Sequence, residues 1–258
     1  MNGPVLTFDS GFGGLSVLRL LVQAFPSHDH IFIADDLGFP YGDWPAEALS
    51  AHCVATIARL IETYQPCLIV IACNTASTLV LEPLRAAFSL PFVGTVPAIK
   101  PAAEQTKSAL VSVLATPATV KRDYTRTLVD RYAAHCDVTL VGSTRLAAMA
   151  ERYLAEGLVD EEAMLSEIQP CFQVRDEKKT DVVVLACTHY PLILPFFERL
   201  APWPVLWLDP APAIARRVAS LLPHAVRDGR QKGERVFATT SGAPFASKAM
   251  HFALMELT

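Results

Sequence analysis

Two apolar stretches of this chain run into the same dipeptide. LIVIACNTAS, Leu68 to Ser77, carries aliphatic residues into Ala72-Cys73 and follows with Asn74 and Thr75. VVVLACTHYP, Val182 to Pro191, does the same into Ala186-Cys187 and follows with Thr188, His189 and Tyr190. A lone cysteine at a strand end is ordinarily a small buried hydrophobe. Two of them, each followed at once by hydroxyl, amide or imidazole groups, suggest chemistry. A thiol titrates near ~8.5 when unperturbed, and lower beside a helix N-terminus or a cationic imidazole, so each sulfur suits proton exchange near neutral pH. One nucleophilic cysteine with one histidine would suggest acyl transfer. Two thiols, about one domain's length apart in the chain, suggest inversion of a stereocentre: one sulfur takes a proton from one face of a carbon and the other returns a proton to the opposite face. Asp9 and His189 are suited to set the proton state of these thiols. Ser10, Asn74, Thr75 and Thr188 offer the uncharged hydrogen bonds that hold a carboxylate and an ammonium. No lysine-bearing cofactor motif and no plausible metal set accompanies the thiols, so no cofactor is expected. The developing carbanion would then depend on neighbouring hydrogen bonds in a dry, preorganised site.

FDSGFGGLSVL, Phe8 to Leu18, reads as strand, Gly-rich turn and helix start. The amides of such a turn and the positive end of a helix form an anion site, with the glycines permitting close approach. The stretch lacks the phosphate-loop lysine and the dinucleotide fingerprint, so a small carboxylate fits better than a nucleotide. The competing reading is that Asp9 and Ser10 only cap the helix.

These residues need elements to hold them. Short apolar, β-branched runs recur at 5–9, 30–35, 68–73, 92–96, 109–116, 137–142, 181–187, 205–209 and 235–241. Their near-continuous hydrophobicity is that of strands covered on both faces. Stretches 46–64, 118–133, 144–156 and 244–256 carry apolar residues at helical spacing. Alternating strand and helix patterns predict an α/β fold with largely parallel sheets. In such sheets ligands bind beyond the carboxyl ends of the strands, where the polar residues here collect. A duplicated, two-domain architecture with facing sites is expected.

Composition narrows the field. The 258 residues are 52% hydrophobic and 19% charged with a net charge of -4, which suits a compact globular protein and makes direct nucleic-acid binding an unlikely main activity. The six cysteines form no CxxC pair and no zinc-type spacing. Nothing reads as a signal peptide and no apolar run approaches a membrane span, so a cytoplasmic protein with reduced thiols and no membrane association is expected.

FDSGFGGLSVL, DDLGFPYG, IACNTAS, LATPATVKRDY and LACTHYPL together resemble the glutamate racemases of the aspartate/glutamate racemase superfamily, in order and over essentially the whole chain. The resemblance implies two flavodoxin-like domains with mostly parallel sheets related by pseudo-symmetry and an active site in the interdomain cleft. The first domain would comprise 1–97 with 209–258 and the second 98–208. It implies cofactor-independent interconversion of L- and D-glutamate for peptidoglycan. By motif, Cys73 and Cys187 resemble the two acid/bases and Asp9 and His189 their assistants, with Cys187 meeting L-glutamate and Cys73 meeting D-glutamate. Ser10, Tyr41, Gly42, Asn74, Thr75 and Thr188 resemble substrate binders. Looser matches are Asp35, Thr116, Thr119 and Glu151. The bland readings are a turn for Asp35-Asp36 and a solvated charge for Glu151. The KRDY stretch resembles the branch activated by UDP-N-acetylmuramoyl-L-alanine, and a homodimer is compatible with the resemblance. Alternatives are a sibling racemase of aspartate or hydantoins, and a regulatory protein that binds DNA gyrase. Three departures stand out: Asp209-Pro210-Ala211-Pro212 in place of Asp-Ser-Gly, Gly142-Ser143 in place of Cys-Pro, and Asp36, which would add a negative charge near an anionic substrate.

Overall fold

The computed structural model describes residues 3–222, 232–245 and 249. The chain divides into two compact units, one formed by residues up to Thr95 with those from Ala211 onward, the other by Val96–Pro210.

In the first unit, β1 (Val5–Asp9), α1 (Leu15–Ala24), β2 (His30–Ala34), α2 (Ala46–Tyr64), β3 (Leu68–Ile71), α3 (Asn74–Ala87) and β4 (Phe92–Gly94) alternate in chain order. The second unit follows with α4 (Ile99–Gln105), β5 (Leu110–Ala115), α5 (Pro117–Val120), α6 (Asp123–Tyr132), β6 (Asp137–Gly142), α7 (Leu146–Glu156), α8 (Glu161–Ile168), β7 (Val174–Arg175), β8 (Lys178–Lys179), β9 (Val182–Ala186), α9 (Leu194–Leu200) and β10 (Leu206–Leu208). The chain then returns to the first unit with α10 (Ala211–Ala219) and β11 (Arg235–Thr239).

The first sheet runs β11-β2-β1-β3-β4 and the second β10-β9-β5-β6, with every pairing parallel. Counted within its own unit, each sheet contains the order 2-1-3-4 of flavodoxin-like folds, whose ligand crevice lies where the order reverses, between first and third strands. That switch falls between β1 and β3 in one unit and between β5 and β9 in the other. Cys73 and Cys187 each follow a third strand.

Helices cover both faces of each sheet, which is why the central strands β3 and β9 are apolar throughout and fully buried. In the first unit Leu6, Phe8, Ile31, Ile33, Ile69 and Ile71 pack beneath α2 and α3, while Val5 and Val70 face α1 and α10. In the second, Leu114, Val183 and Leu185 pack against α7, α8 and α9, and Val111, Val113, Val182 and Val184 against α4. Burying each such side chain contributes about 1.5–3 kcal/mol. On α2 the inward residues Leu49, Cys53, Thr56 and Ile57 follow helical spacing, and the helix stops at left-handed Gln65 before Pro66.

Two expectations change in detail. The 118–133 stretch is broken at extended Arg122, because Thr125 Oγ1 donates to the Thr119 carbonyl at 2.7 Å and ends α5 early. An antiparallel hairpin of β7 and β8, turning through Asp176 and Glu177 at positive φ, lies between α8 and β9, where the sequence carries no Gly or Asn turn signal. Of the expected 244–256 helix, everything from 246 onward except Ala249 lies outside the described residues.

Candidate active site

In the first unit the register carries three chemistry-bearing residues to one edge. Asp9 ends β1; the Asp35 amide donates to the Asp9 carbonyl and the Ala72 amide to the Phe8 carbonyl, both at 2.8 Å, so Asp35 and Cys73 continue the neighbouring strands. The Asp9 carboxylate accepts the Ser10 amide at 2.8 Å and the Gly14 amide at 2.5 Å. It therefore organises the Gly-rich turn, and those two amides are taken by the turn's own anion rather than left for an external one. Gly14 has to be glycine: a Cβ there would lie 2.9 Å from Asp9 Cβ and 3.0 Å from the Phe32 ring. The Ser10 hydroxyl sits 3.9 Å from the Cys73 sulfur.

Cys73 is 6% exposed and occupies the extended N-cap position of α3, where the helix's unpaired amides favour negative charge. Asn74 and Thr75 open the helix and are buried. Asn74 is 2% exposed, and neither its amide oxygen nor its nitrogen has a hydrogen-bond partner. Buried amides are normally satisfied, so this one is an observation pointing to a ligand.

Tyr41 and Gly42 lie in a 3₁₀ turn, Tyr41–Asp43. A Cβ on Gly42 would meet nothing within 4 Å. Asp35 is fully buried, and its carboxylate accepts the Tyr41 hydroxyl at 2.5 Å, His52 Nε2 at 2.6 Å and the Thr240 hydroxyl at 2.6 Å. Burial first, then the charges of Cys53 and Asp35 and the bond to Asp35, hold the Tyr41 phenol far above its ordinary value, so it stays a donor. Asp36 is not the free charge the sequence suggests. Burial raises its pKa, but the Ser241 hydroxyl and amide and the Thr240 hydroxyl outweigh that and lower it, tying the end of β2 to the end of β11.

In the second unit Ala115 is paired with Ala186 on one side and Gly142 on the other, so Thr116, Cys187 and Ser143 follow as neighbours. Cys187 is 7% exposed. Its sulfur lies 3.7 Å from His189 Nδ1, and His189 Nε2 lies 2.6 Å from Glu151 Oε1. Glu151, 20% exposed on α7, is thus the imidazole's carboxylate rather than a solvated charge. Burial alone would lower the His189 pKa, but hydrogen bonds to Cys187 and Glu151, and their charges, raise it well above the ordinary 6.5. With both ring nitrogens protonated, Nε2 donates to Glu151 and Nδ1 to the sulfur. Thr188, between Cys187 and His189 in sequence, is buried. Thr116 donates its hydroxyl to Thr119 at 3.1 Å and accepts the Thr119 amide at 3.3 Å, capping α5. Ser143 accepts the Leu146 and Arg145 amides and donates to Glu167. The serine that departs from Cys-Pro therefore starts α7, the helix that carries Glu151.

Sequence reasoning missed His52, Thr240 and Glu167. Each meets its partner across a long chain separation and sits in no local motif: His52 lies within α2, Glu167 within α8 and Thr240 just beyond β11, so no local signal pointed to them.

Fold and site together define an α/β protein of two flavodoxin-like units, each with a buried thiol and titratable neighbours at its topological switch. The sequence pattern of the Asp/Glu/Hydantoin racemase family matches residues 13–218, and the chain belongs to that family of isomerases. It is 53% identical over 255 residues, 98% of this chain and 90% of the relative, to a glutamate racemase of Brucella canis. It is 56% identical over 221 residues, 85% of this chain and 84% of the relative, to one of Mesorhizobium japonicum. A crystal structure of Escherichia coli glutamate racemase with L-glutamate and the activator UDP-MurNAc-ala superposes with a TM-score of 0.89 at 36% identity, covering 99% of this chain and 96% of that one. Among the described residues no helix is long and apolar enough to cross a membrane.

Proposed function

We propose that this chain interconverts L- and D-glutamate by a cofactor-independent two-base proton transfer, supplying D-glutamate for peptidoglycan. The observation that carries this reading is the repeated placement of a thiol after the third strand of the same strand order, once beside Asp9 and Ser10 and once beside His189 and Glu151. The high identity to glutamate racemases selects the substrate.

In the L-to-D direction the Cys187 sulfur, as thiolate, forms a bond to the α-proton while the Cα–H bond breaks, and the electron pair left on carbon takes a proton from the Cys73 thiol on the other face. One sulfur ends protonated and the other deprotonated, so the enzyme resets by solvent exchange or by the reverse turnover. The proton His189 holds, shared with Cys187 and Glu151, sets the charge around the first sulfur. The unpaired Asn74 amide, with Ser10, Thr75, Thr188 and the Tyr41–Gly42 turn, would bind the amino acid. Thr116 and Thr119 are assigned to the same site.

The functional halves are residues 1–97 with 209–258, carrying Asp9 and Cys73, and 98–208, carrying Cys187 and His189. The enzyme is assigned to the cytoplasm. UDP-N-acetylmuramoyl-L-alanine is assigned as activator on the likeness to the activated E. coli enzyme, and a homodimer as the assembly, to be checked by light scattering.

Circular dichroism of L-glutamate incubated with pure protein, with and without the nucleotide, tests the activity; a signal that stays constant in both overturns it. Turnover must survive dialysis against chelator and a carbonyl reagent. A glutamate complex must show contacts from both units, and contacts confined to one would end the two-base assignment.

A further inference from the structure

The Tyr41–Asp43 turn is weakly built from its own backbone: the Asp43 amide donates to the Pro40 carbonyl at 3.3 Å and the Trp44 amide to the Tyr41 carbonyl at 3.4 Å, both at the long end for hydrogen bonds. What braces it comes from α2. The His52 imidazole donates to Asp35 Oδ2 at 2.6 Å, the same oxygen that accepts the Tyr41 hydroxyl at 2.5 Å. Its ring lies 5.0 Å from the Trp44 ring at 36° and 6.4 Å, edge-on, from the Tyr41 ring. One side chain therefore touches the residues at both ends of the turn. Gly38 closes over the cluster so tightly that a Cβ there would stand 2.6 Å from both Asp35 Oδ2 and Tyr41 Cε1 and 3.1 Å from His52 Nε2. Thr240, from beyond β11, holds the other carboxylate oxygen.

We propose that His52 is a positioning residue: acting through Asp35 and by stacking on Trp44, it fixes the Tyr41–Asp43 turn so that Gly42 presents its backbone to bound substrate. The inference rests on the glutamate racemase reading for the role of that turn. It also makes Asp35 the fulcrum of the brace, since its carboxylate accepts Tyr41, His52 and Thr240 together. His52 is 22% exposed and its imidazole is engaged with Asp35 and Trp44, which gives it a positioning role rather than a proton-transfer one.

The test compares His52→Leu, which removes the donor, with His52→Gln, whose side-chain amide keeps a donor at similar reach. Two measurements are made on each purified, full-length variant: kcat and KM for both enantiomers, and the amide shifts of Gly42 and Asp43 in ¹⁵N-labelled protein. Loss of a hydrogen bond to a charged group corresponds to roughly ten-fold or more in binding. His52→Leu is expected to raise KM about ten-fold for both enantiomers with kcat within about two-fold, and to move both amide signals. His52→Gln is expected to return both readouts to within about three-fold of wild type in KM and to the original shifts. Should His52→Leu not fold, His52→Asn, too short to reach Asp35, takes its place. A merely structural role predicts a lower active fraction, hence a fall in kcat at unchanged KM, and that result overturns the proposal. Unmoved Gly42 and Asp43 signals also overturn it. If the wild type leaves glutamate untouched, the racemase reading falls by itself, and the amide shifts still decide whether His52 holds the turn.

Discussion

The two thiols stand at the same topological address and are served by different chemistry. On the Cys73 side, the Asp9 carboxylate accepts two backbone amides of a glycine turn, and a neutral hydroxyl, that of Ser10, lies 3.9 Å from the sulfur. Beside Cys187 stands a buried imidazole held by a carboxylate, a titratable side-chain pair rather than a backbone-fixed turn. The fold repeats; the side chains around the thiol do not. The difference teaches that the strand order fixes where a thiol can sit, while the turns and helices beside each strand end decide which groups surround it. Unit one uses backbone geometry that glycines make available, and unit two uses side-chain pairing across from α7.

The largest effects test what the two regions share. Cys73→Ser and Cys187→Ser should each lose racemisation by about 10²- to 10⁴-fold in both directions, the scale of a general acid/base. The comparison sharpens with a glutamate analogue bearing a leaving group at the β-carbon, assayed for elimination. Cys73→Ser should still act on the L form and Cys187→Ser on the D form. Equal elimination of both enantiomers by either variant would make the two sites interchangeable and end the two-base assignment.

The next effects separate the partners. In Asp9→Asn an amide group must face an amide donor of the turn, leaving a buried donor unmatched at about 1–3 kcal/mol, so thermal stability should fall together with activity. Glu151→Gln keeps an oxygen acceptor for His189 Nε2, so stability should change little. Glu151 is among the groups that raise the His189 pKa, so its removal should shift the imidazole's NMR titration midpoint to lower pH. An unshifted midpoint would show that Cys187 and burial alone set the proton. Because the folded pKa of His189 lies above the ordinary 6.5, its stabilising share is full below that value and fades as pH rises through the raised one. The stability gap between wild type and His189→Asn, read from urea midpoints, should therefore narrow on the alkaline side and not on the acid side.

Much of this was legible beforehand, for reasons that differ by residue. The runs ending in Cys73 and Cys187 are apolar throughout because both sheet faces are covered, and such runs announce buried parallel strands whatever their partners. Asp9, Ser10 and His189 sit within a few residues of those ends, so local sequence placed them. Glu151 was visible only as a loose match, because nothing around it on α7 distinguishes a carboxylate that reaches His189 from one in solvent. His52, Thr240 and Glu167 left no trace, since each is defined by a contact with a residue far along the chain. The helix break at Arg122 escaped periodicity for a similar reason: a threonine hydroxyl, not a glycine or proline, ends α5.

The smallest effect bears on the most delicate part of the contrast. If Cys73 is served by fixed geometry, then Ser10 contributes only a long hydroxyl–sulfur contact of 3.9 Å. Ser10→Ala leaves the backbone amide that Asp9 holds, so the turn and Gly14 should stay in place and the melting temperature should hold. Removing one net hydrogen bond is worth about 0.5–1.5 kcal/mol, which corresponds to a loss of roughly two- to twelve-fold in kcat/KM. Because a serine hydroxyl does not titrate near neutrality and its contact with the sulfur is too long to shift the thiol much, that loss should be nearly the same across pH 6 to 9. The matching change on the other side, Glu151→Gln, alters a titrating imidazole and should change the shape of the profile instead. Racemisation rates of the two variants over that range therefore distinguish a parallel drop from a displaced limb. A Ser10→Ala profile displaced as far as that of Glu151→Gln would mean that Ser10 sets the proton affinity of the Cys73 thiol, and the two regions would then differ in their parts but not in their principle.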